Sequence, residues 1–66
     1  MNRIDFVYSS NNETLIGIDG KIPDDWYGKK VRIEGVEYEA VQVYDMPNHV
    51  AIKGKSGKIG QSIEFI

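Results

Sequence analysis

The sequence predicts an all-β fold, a small antiparallel barrel of five to six strands with one short 3₁₀ turn. Hydrophobic and polar residues alternate with a period of two along most of the chain, which is typical of half-buried strands. Seven glycines interrupt the 66 residues at short intervals, and apolar residues at helical spacing do not persist between them. One domain over residues 1–66 fits this length, and an SH3-like barrel would leave few strand edges open. The alternative is an open, bent sheet that completes itself by dimerisation.

The first two strands are predicted to form a hairpin. Ile4, Phe6 and Tyr8 alternate with Arg3 and Asp5, so we expect these three side chains to share one face of a strand. A polar cluster over 9–12 marks a turn, and 14–18 forms the return strand.

The segment from Ile22 to Gly28 lacks strand patterning. It follows Asp19-Gly20, a turn signal, and in it Pro23 fixes φ before two acidic residues. These features predict a short 3₁₀ turn that carries Trp26 into the core, where the single tryptophan of a small domain usually packs.

The middle of the chain predicts a hairpin around Glu34-Gly35 with a definite register. Glutamate is a poor residue for positive φ, so a type I turn with Gly35 in a bulge is the alternative. With a two-residue loop, the apolar pairs are Ile33–Val36 and Val31–Tyr38, and the opposite-charge pairs on the other side are Arg32–Glu37 and Lys30–Glu39.

The next strand is predicted to be long and bent. Its apolar positions begin at Val36 and Tyr38 and then shift to Val41 and Val43, which predicts a bulge or sharp bend near residues 39–40.

The last elements are another hairpin, a connector and a final strand. The connector over 54–60 is basic and glycine-rich, and the strand over 62–66 places Ile63 and Phe65 on one face. A four-residue loop over 45–48 would set Val43 opposite Val50 and Val41 opposite Ile52.

Composition argues against several classes of function. Without cysteine the chain can form neither disulfides nor thiolate metal sites, and with one histidine it shows no recognisable catalytic constellation. The net charge of −2 gives no general attraction for nucleic acid or anionic lipid, and no apolar run approaches a membrane span. We therefore expect a cytoplasmic protein that is not an enzyme, needs no cofactor and does not contact membranes.

Three short motifs have simpler explanations. Gly54-Lys55-Ser56 resembles the end of a phosphate-binding loop, but His49 stands where that motif requires glycine and no helix can follow. His49 and Asp45 alone are a poor set of metal ligands, so no metal site is predicted. Residues 12–14 match the N-glycosylation signal by chance, since nothing else indicates secretion.

The leading hypothesis is a non-catalytic intracellular protein-binding module or accessory protein. Its partner is an unidentified protein, with a second copy of the chain as a further possibility. Tyrosine and methionine are enriched at interfaces, and the predicted contact residues are Tyr27, Tyr44, Met46 and Pro47.

The alternative hypothesis is a small nucleic-acid-binding barrel that uses the basic loop from Lys53 to Lys58. Lys53, Lys55 and Lys58 are the densest basic cluster, and the glycines between them could let backbone N–H groups approach a phosphate. We favour it less, because RNA-binding sheets also need exposed aromatic residues on the same face. The sequence does not place the candidates there, namely Tyr8, Tyr27 and Tyr44.

Overall fold

The computed structural model describes residues 2–26 and 30–66, which include six strands in one closed antiparallel barrel. The order of strands around the barrel is β1-β2-β5-β4-β3-β6. The predicted fold class is confirmed, and the barrel closes within a single chain. Within the described ranges, no helix has the length and apolar character that a membrane crossing requires. The strands are β1 (Asn2–Ser10), β2 (Glu13–Ile18), β3 (Lys30–Ile33), β4 (Val36–Gln42), β5 (His49–Lys53) and β6 (Ser62–Phe65).

The core fills the barrel with branched aliphatic side chains. Each fully buried isoleucine or valine contributes about 1.5–3 kcal/mol relative to an exposed position. The buried hydrophobic residues are Ile4, Ile16, Ile18, Ile22, Trp26, Val31, Ile33, Ala40, Val50, Ile52 and Ile63.

Trp26 packs as predicted. Its backbone N–H donates to the carbonyl of Pro23 at 3.1 Å, which closes a single turn, and its indole N–H donates to the carbonyl of Lys30 at 2.9 Å. The indole meets the ring of Phe65 edge to face, with centroids 5.1 Å apart. The end of the predicted 3₁₀ turn, at 27–28, lies outside the described residues.

The β3–β4 hairpin has the predicted register at all four pairs. Glu34 has φ 51° and Gly35 has φ 80°, so both loop residues adopt the left-handed conformation of a two-residue turn. The alternative with a bulge at Gly35 is therefore wrong.

The prediction for β1 is wrong beyond Ile4. Ile4 pairs with Ile18 and Phe6 pairs with Gly17, so Asp5 is an extra residue in a β-bulge. The bulge reverses the alternation, so Phe6 and Tyr8 face outward and do not share a face with the buried Ile4.

The predicted register of the β4–β5 hairpin is wrong by one residue. Ala40 pairs with Ile52 and Val41 pairs with Ala51, so Val41 lies outward and is 59% exposed. Near residues 39–40, where a bulge or sharp bend was predicted, β4 instead changes neighbour: residues 36–39 pair with β3 and 40–42 pair with β5, with no register shift in either ladder. The inward phase does not shift there, which is why Ala40 is buried and Val41 is not.

Candidate functional site

The outer surface of β1, β2, β5 and β4 carries a continuous row of apolar and aromatic side chains. Tyr8 pairs with Leu15, Leu15 with Ala51, and Ala51 with Val41, so the row crosses all four strands. Tyr8 is 61% exposed and Val41 is 59% exposed. We call this surface the apolar face, which comprises Phe6, Tyr8, Leu15, Val41, Val43, His49 and Ala51.

A second row of the apolar face consists of two aromatic rings, Phe6 and His49, on either side of Gly17. The rings of Phe6 and His49 meet edge to face at 5.7 Å above Gly17. A Cβ atom at Gly17 would lie 3.0 Å from both Phe6 Cβ and His49 Nε2, so a side chain there would displace the two rings. His49 Nδ1 is also 2.8 Å from Asn48 Oδ1, and this contact helps to orient the imidazole. The aromatic part of the apolar face therefore depends on glycine at position 17.

Acidic residues predominate on this surface. Asp5 has a carboxylate oxygen 3.3 Å from the Cβ position of Gly17, and Glu13 pairs with Lys53 across the strands. Lys53 Nζ lies 3.5 Å from Glu39 in an exposed ion pair, which typically contributes about 0–1 kcal/mol. Three carboxylates thus accompany one ammonium group around the apolar face.

The outer surface of β3, the first half of β4, and β6 has a different character. Arg32 lies 3.1 Å from Glu37 and 3.6 Å from Glu64, and Lys30 lies 3.8 Å from Glu37. The hydrogen bond to Glu37 and the charge of Glu64 raise the pKa of the Arg32 guanidinium above its ordinary value. This surface is an exposed network of paired charges, which is typical of a solvated face.

The predicted protein-contact residues lie mainly in one loop between β4 and β5. Tyr44 is 87% exposed and directly follows Val43 of the apolar face, while Pro47 is exposed and Met46 half-buried. The carbonyl of Pro47 accepts the N–H of Ile22 at 3.1 Å, which ties this loop to the segment after β2. Tyr27 lies outside the described residues.

The sequence prediction missed the exposed side chains on the strands. Phe6 and Tyr8 were predicted to share a strand face with Ile4, and Val41 was predicted to lie opposite Ile52. Tyr8 was also a candidate stacking residue for RNA. Their pattern is the same as that of buried strand residues, so alternation alone carries no signal that separates the two cases.

The structure divides the basic loop between two surfaces. Lys53 ends β5 beside Glu39 on the outer surface. Lys55 and Lys58 instead line an open groove of about 410 Å³ at one end of the barrel, together with Ser9, Ile33, Glu34, Ser56, Gly57 and Gln61.

The buried hydroxyl of Thr14 holds the start of this loop. It donates to the carbonyl of Gly54 at 2.7 Å and accepts the N–H of Ser56 at 3.4 Å. Thr14 is fully buried, so the threonine of the glycosylation-like motif has a structural role.

Replacing Thr14 by valine is expected to lower the free energy of unfolding by about 1–3 kcal/mol. The substitution keeps the shape but leaves the Gly54 carbonyl without its donor in a part-buried site. Urea denaturation monitored by Trp26 fluorescence would measure the change. Thr14→Ser retains the hydroxyl and should lose less stability; equal losses in both variants would contradict a role for the hydrogen bond.

The described residues contain no group of three or more His, Cys, Asp or Glu side chains arranged to hold a metal ion. Comparison with family models, with curated proteins and with solved structures found no match.

Proposed function

We propose that this chain is a non-catalytic protein-binding module that binds another protein through its apolar face. The observation that supports this most is the continuous row from Tyr8 through Leu15 and Ala51 to Val41. Contiguous exposed apolar groups on a small domain mark interaction sites, and water is readily displaced from them on binding.

The charges around the apolar face favour a particular kind of partner. Two copies of the chain set face to face would bring the carboxylates of Asp5, Glu13 and Glu39 close to one another. Like charges at an interface cost binding free energy, which disfavours a second copy and also disfavours nucleic acid. A partner with an apolar centre and basic residues at its rim matches this surface. Tyr44 would extend the surface that contacts the partner beyond the end of β4. Met46 and Pro47, in the same loop, would contact the partner beside it.

Site-specific photo-cross-linking would test the face first. A photoreactive residue at position 8 should cross-link to one partner protein in the source cells, whereas the same residue at Val36 should not. Val36 is a suitable control because it is also exposed but lies on β4 where that strand pairs with β3. Equal cross-linking from both positions, or cross-linking only to a second copy, would contradict the proposal.

The purified partner would then give the affinity. Tyr8→Ser combined with Val41→Ser should weaken binding at least tenfold, because these are the most exposed side chains of the row and truncating an interface hot spot costs about 2 kcal/mol or more. Lys30→Gln combined with Glu64→Gln changes two exposed residues of the charged surface and should leave the affinity within twofold. An unchanged affinity for the first double variant would exclude the apolar face as the binding site.

A further inference from the structure

Only the first residues of β1 pair with β6 to close the barrel. The ladder between β1 and β6 consists of two pairs, Asn2–Ile63 and Arg3–Ser62. Ile4 continues the closure, since its N–H donates to the carbonyl of Gln61 at 2.8 Å. Beyond that residue, β1 extends for six more positions with β2 on one side only.

The bulge determines which backbone groups point away from β2. In an antiparallel ladder, alternate residues direct their N–H and C=O groups to the paired strand. On β1 these residues are Phe6, Tyr8 and Ser10, because the pair Ser10–Glu13 closes the two-residue hairpin loop. Val7 and Ser9 therefore direct their N–H and C=O groups to the opposite edge. Among the described residues, no backbone hydrogen bond joins residues 5–10 to any segment other than β2. This stretch is therefore a free strand edge.

A cationic groove adjoins this edge. The open groove of about 410 Å³ reaches Ser9, and its lining includes Lys55, Lys58 and Glu34. The ion pairs between described residues involve Lys30, Arg32 and Lys53, but neither Lys55 nor Lys58. Lys55 and Lys58 thus have no ion-pair partner among the residues that the structure describes, in a protein whose net charge is −2.

We propose that the free edge of β1 binds an extended acidic segment of another protein by β-strand addition. The incoming strand would exchange backbone hydrogen bonds with Val7 and Ser9. Because side chains alternate along a strand, those opposite Val7 and Ser9 would turn toward the groove, where carboxylates meet Lys55 and Lys58. The intervening side chains would lie outward beside Phe6 and Tyr8 and would be apolar.

The chemistry of the edge favours a peptide over a nucleic-acid strand. A peptide backbone supplies both donors and acceptors to the N–H and C=O groups of Val7 and Ser9, whereas a phosphodiester supplies acceptors alone. Glu34 in the groove also opposes a continuous row of phosphates. Binding at this edge does not require a partner on the apolar face, so the two proposals can fail separately.

A short labelled peptide in which valine and glutamate alternate would test the binding by fluorescence anisotropy. Lys55→Gln combined with Lys58→Gln should weaken its binding at least tenfold, because both cations face the carboxylates. Lys30→Gln combined with Lys53→Gln removes the same charge from outside the groove and should change the affinity less than threefold. Equal effects of the two double variants would overturn the proposal.

The strand geometry needs a separate readout. N-methylation of the peptide amides that face β1 should abolish binding, and the bound peptide should slow amide hydrogen exchange at Val7 and Ser9. Three results would overturn the proposal: no binding by the alternating peptide, binding that leaves exchange at Val7 and Ser9 unchanged, or equal binding by a valine–lysine peptide. Displacement of the peptide by a much lower concentration of single-stranded DNA would overturn it in favour of nucleic acid.

Discussion

Ile52→Ala is expected to lower the free energy of unfolding by about 2–5 kcal/mol, because it leaves a cavity at the centre of the barrel. Ile52 is completely buried on β5, between Thr14 of β2 and Ala40 of β4. A domain of this size buries only about 60% of its unfolded surface and has little stability to lose. Urea or thermal unfolding followed by Trp26 fluorescence would measure the loss.

Ile59→Ala provides a matched control for this substitution. Ile59 is 71% exposed in the loop before β6, so the same change of side chain should alter the free energy of unfolding by no more than about 0.5 kcal/mol. Similar losses for the two variants would mean that the barrel does not bury β5 as described.

The β3–β4 hairpin shows what the sequence was able to predict. Hydrophobic pairing and charge pairing agreed on one register around Glu34-Gly35, and all four pairs were confirmed. Such agreement is strong evidence because a shift by one residue would disrupt both patterns together. Trp26 was similarly predictable, since its size requires a buried site wherever the turn places it.

The bulge at Asp5 shows what the sequence could not predict. Ile4, Phe6 and Tyr8 form an uninterrupted alternation, yet the extra residue opposite Gly17 reverses it. The bulge forms where β1 leaves the backbone hydrogen bonds between Ile4 and the β5–β6 loop and continues beside β2 alone. The loop residues in these bonds, Gly60 and Gln61, are distant from Ile4 in the sequence. Local patterning contains no information on such a distant constraint.

The same limit explains the candidate site. Apolar residues at alternate positions predict that one face of a strand is buried, but they do not say whether a core or a partner buries it. Valine is a common core residue, so the residue type alone does not place Val41 on the outer surface. Its pairing with Ala51 gives the register that directs its side chain outward. Tyr44 was proposed as a contact residue because tyrosine is enriched at interfaces. The structure gives its exposure, 87%, and its role in a contact stays a prediction.

Gly57→Ala is expected to lower the free energy of unfolding by about 2–5 kcal/mol, the second large effect. Gly57 has φ +97°, which side chains rarely adopt, and this strain alone costs about 1–2 kcal/mol. A Cβ atom there would also lie 3.1 Å from Ile16 Cδ1 and 3.4 Å from Ile4 Cδ1, at the point where the loop covers the core. Crowding of this kind adds about 1–3 kcal/mol, and chemical denaturation would give the total.

Gly60→Ala separates the two causes. Gly60 has almost the same backbone angle, φ +96°, but apart from its chain neighbours no described residue comes within 4 Å of its Cβ position, so only the strain should appear. The difference between the two variants therefore measures how tightly the loop packs on Ile4 and Ile16. If both variants lose the same stability, the loop does not cover the core, and the groove that it forms with Ser9 and Glu34 would have a different shape from the one described.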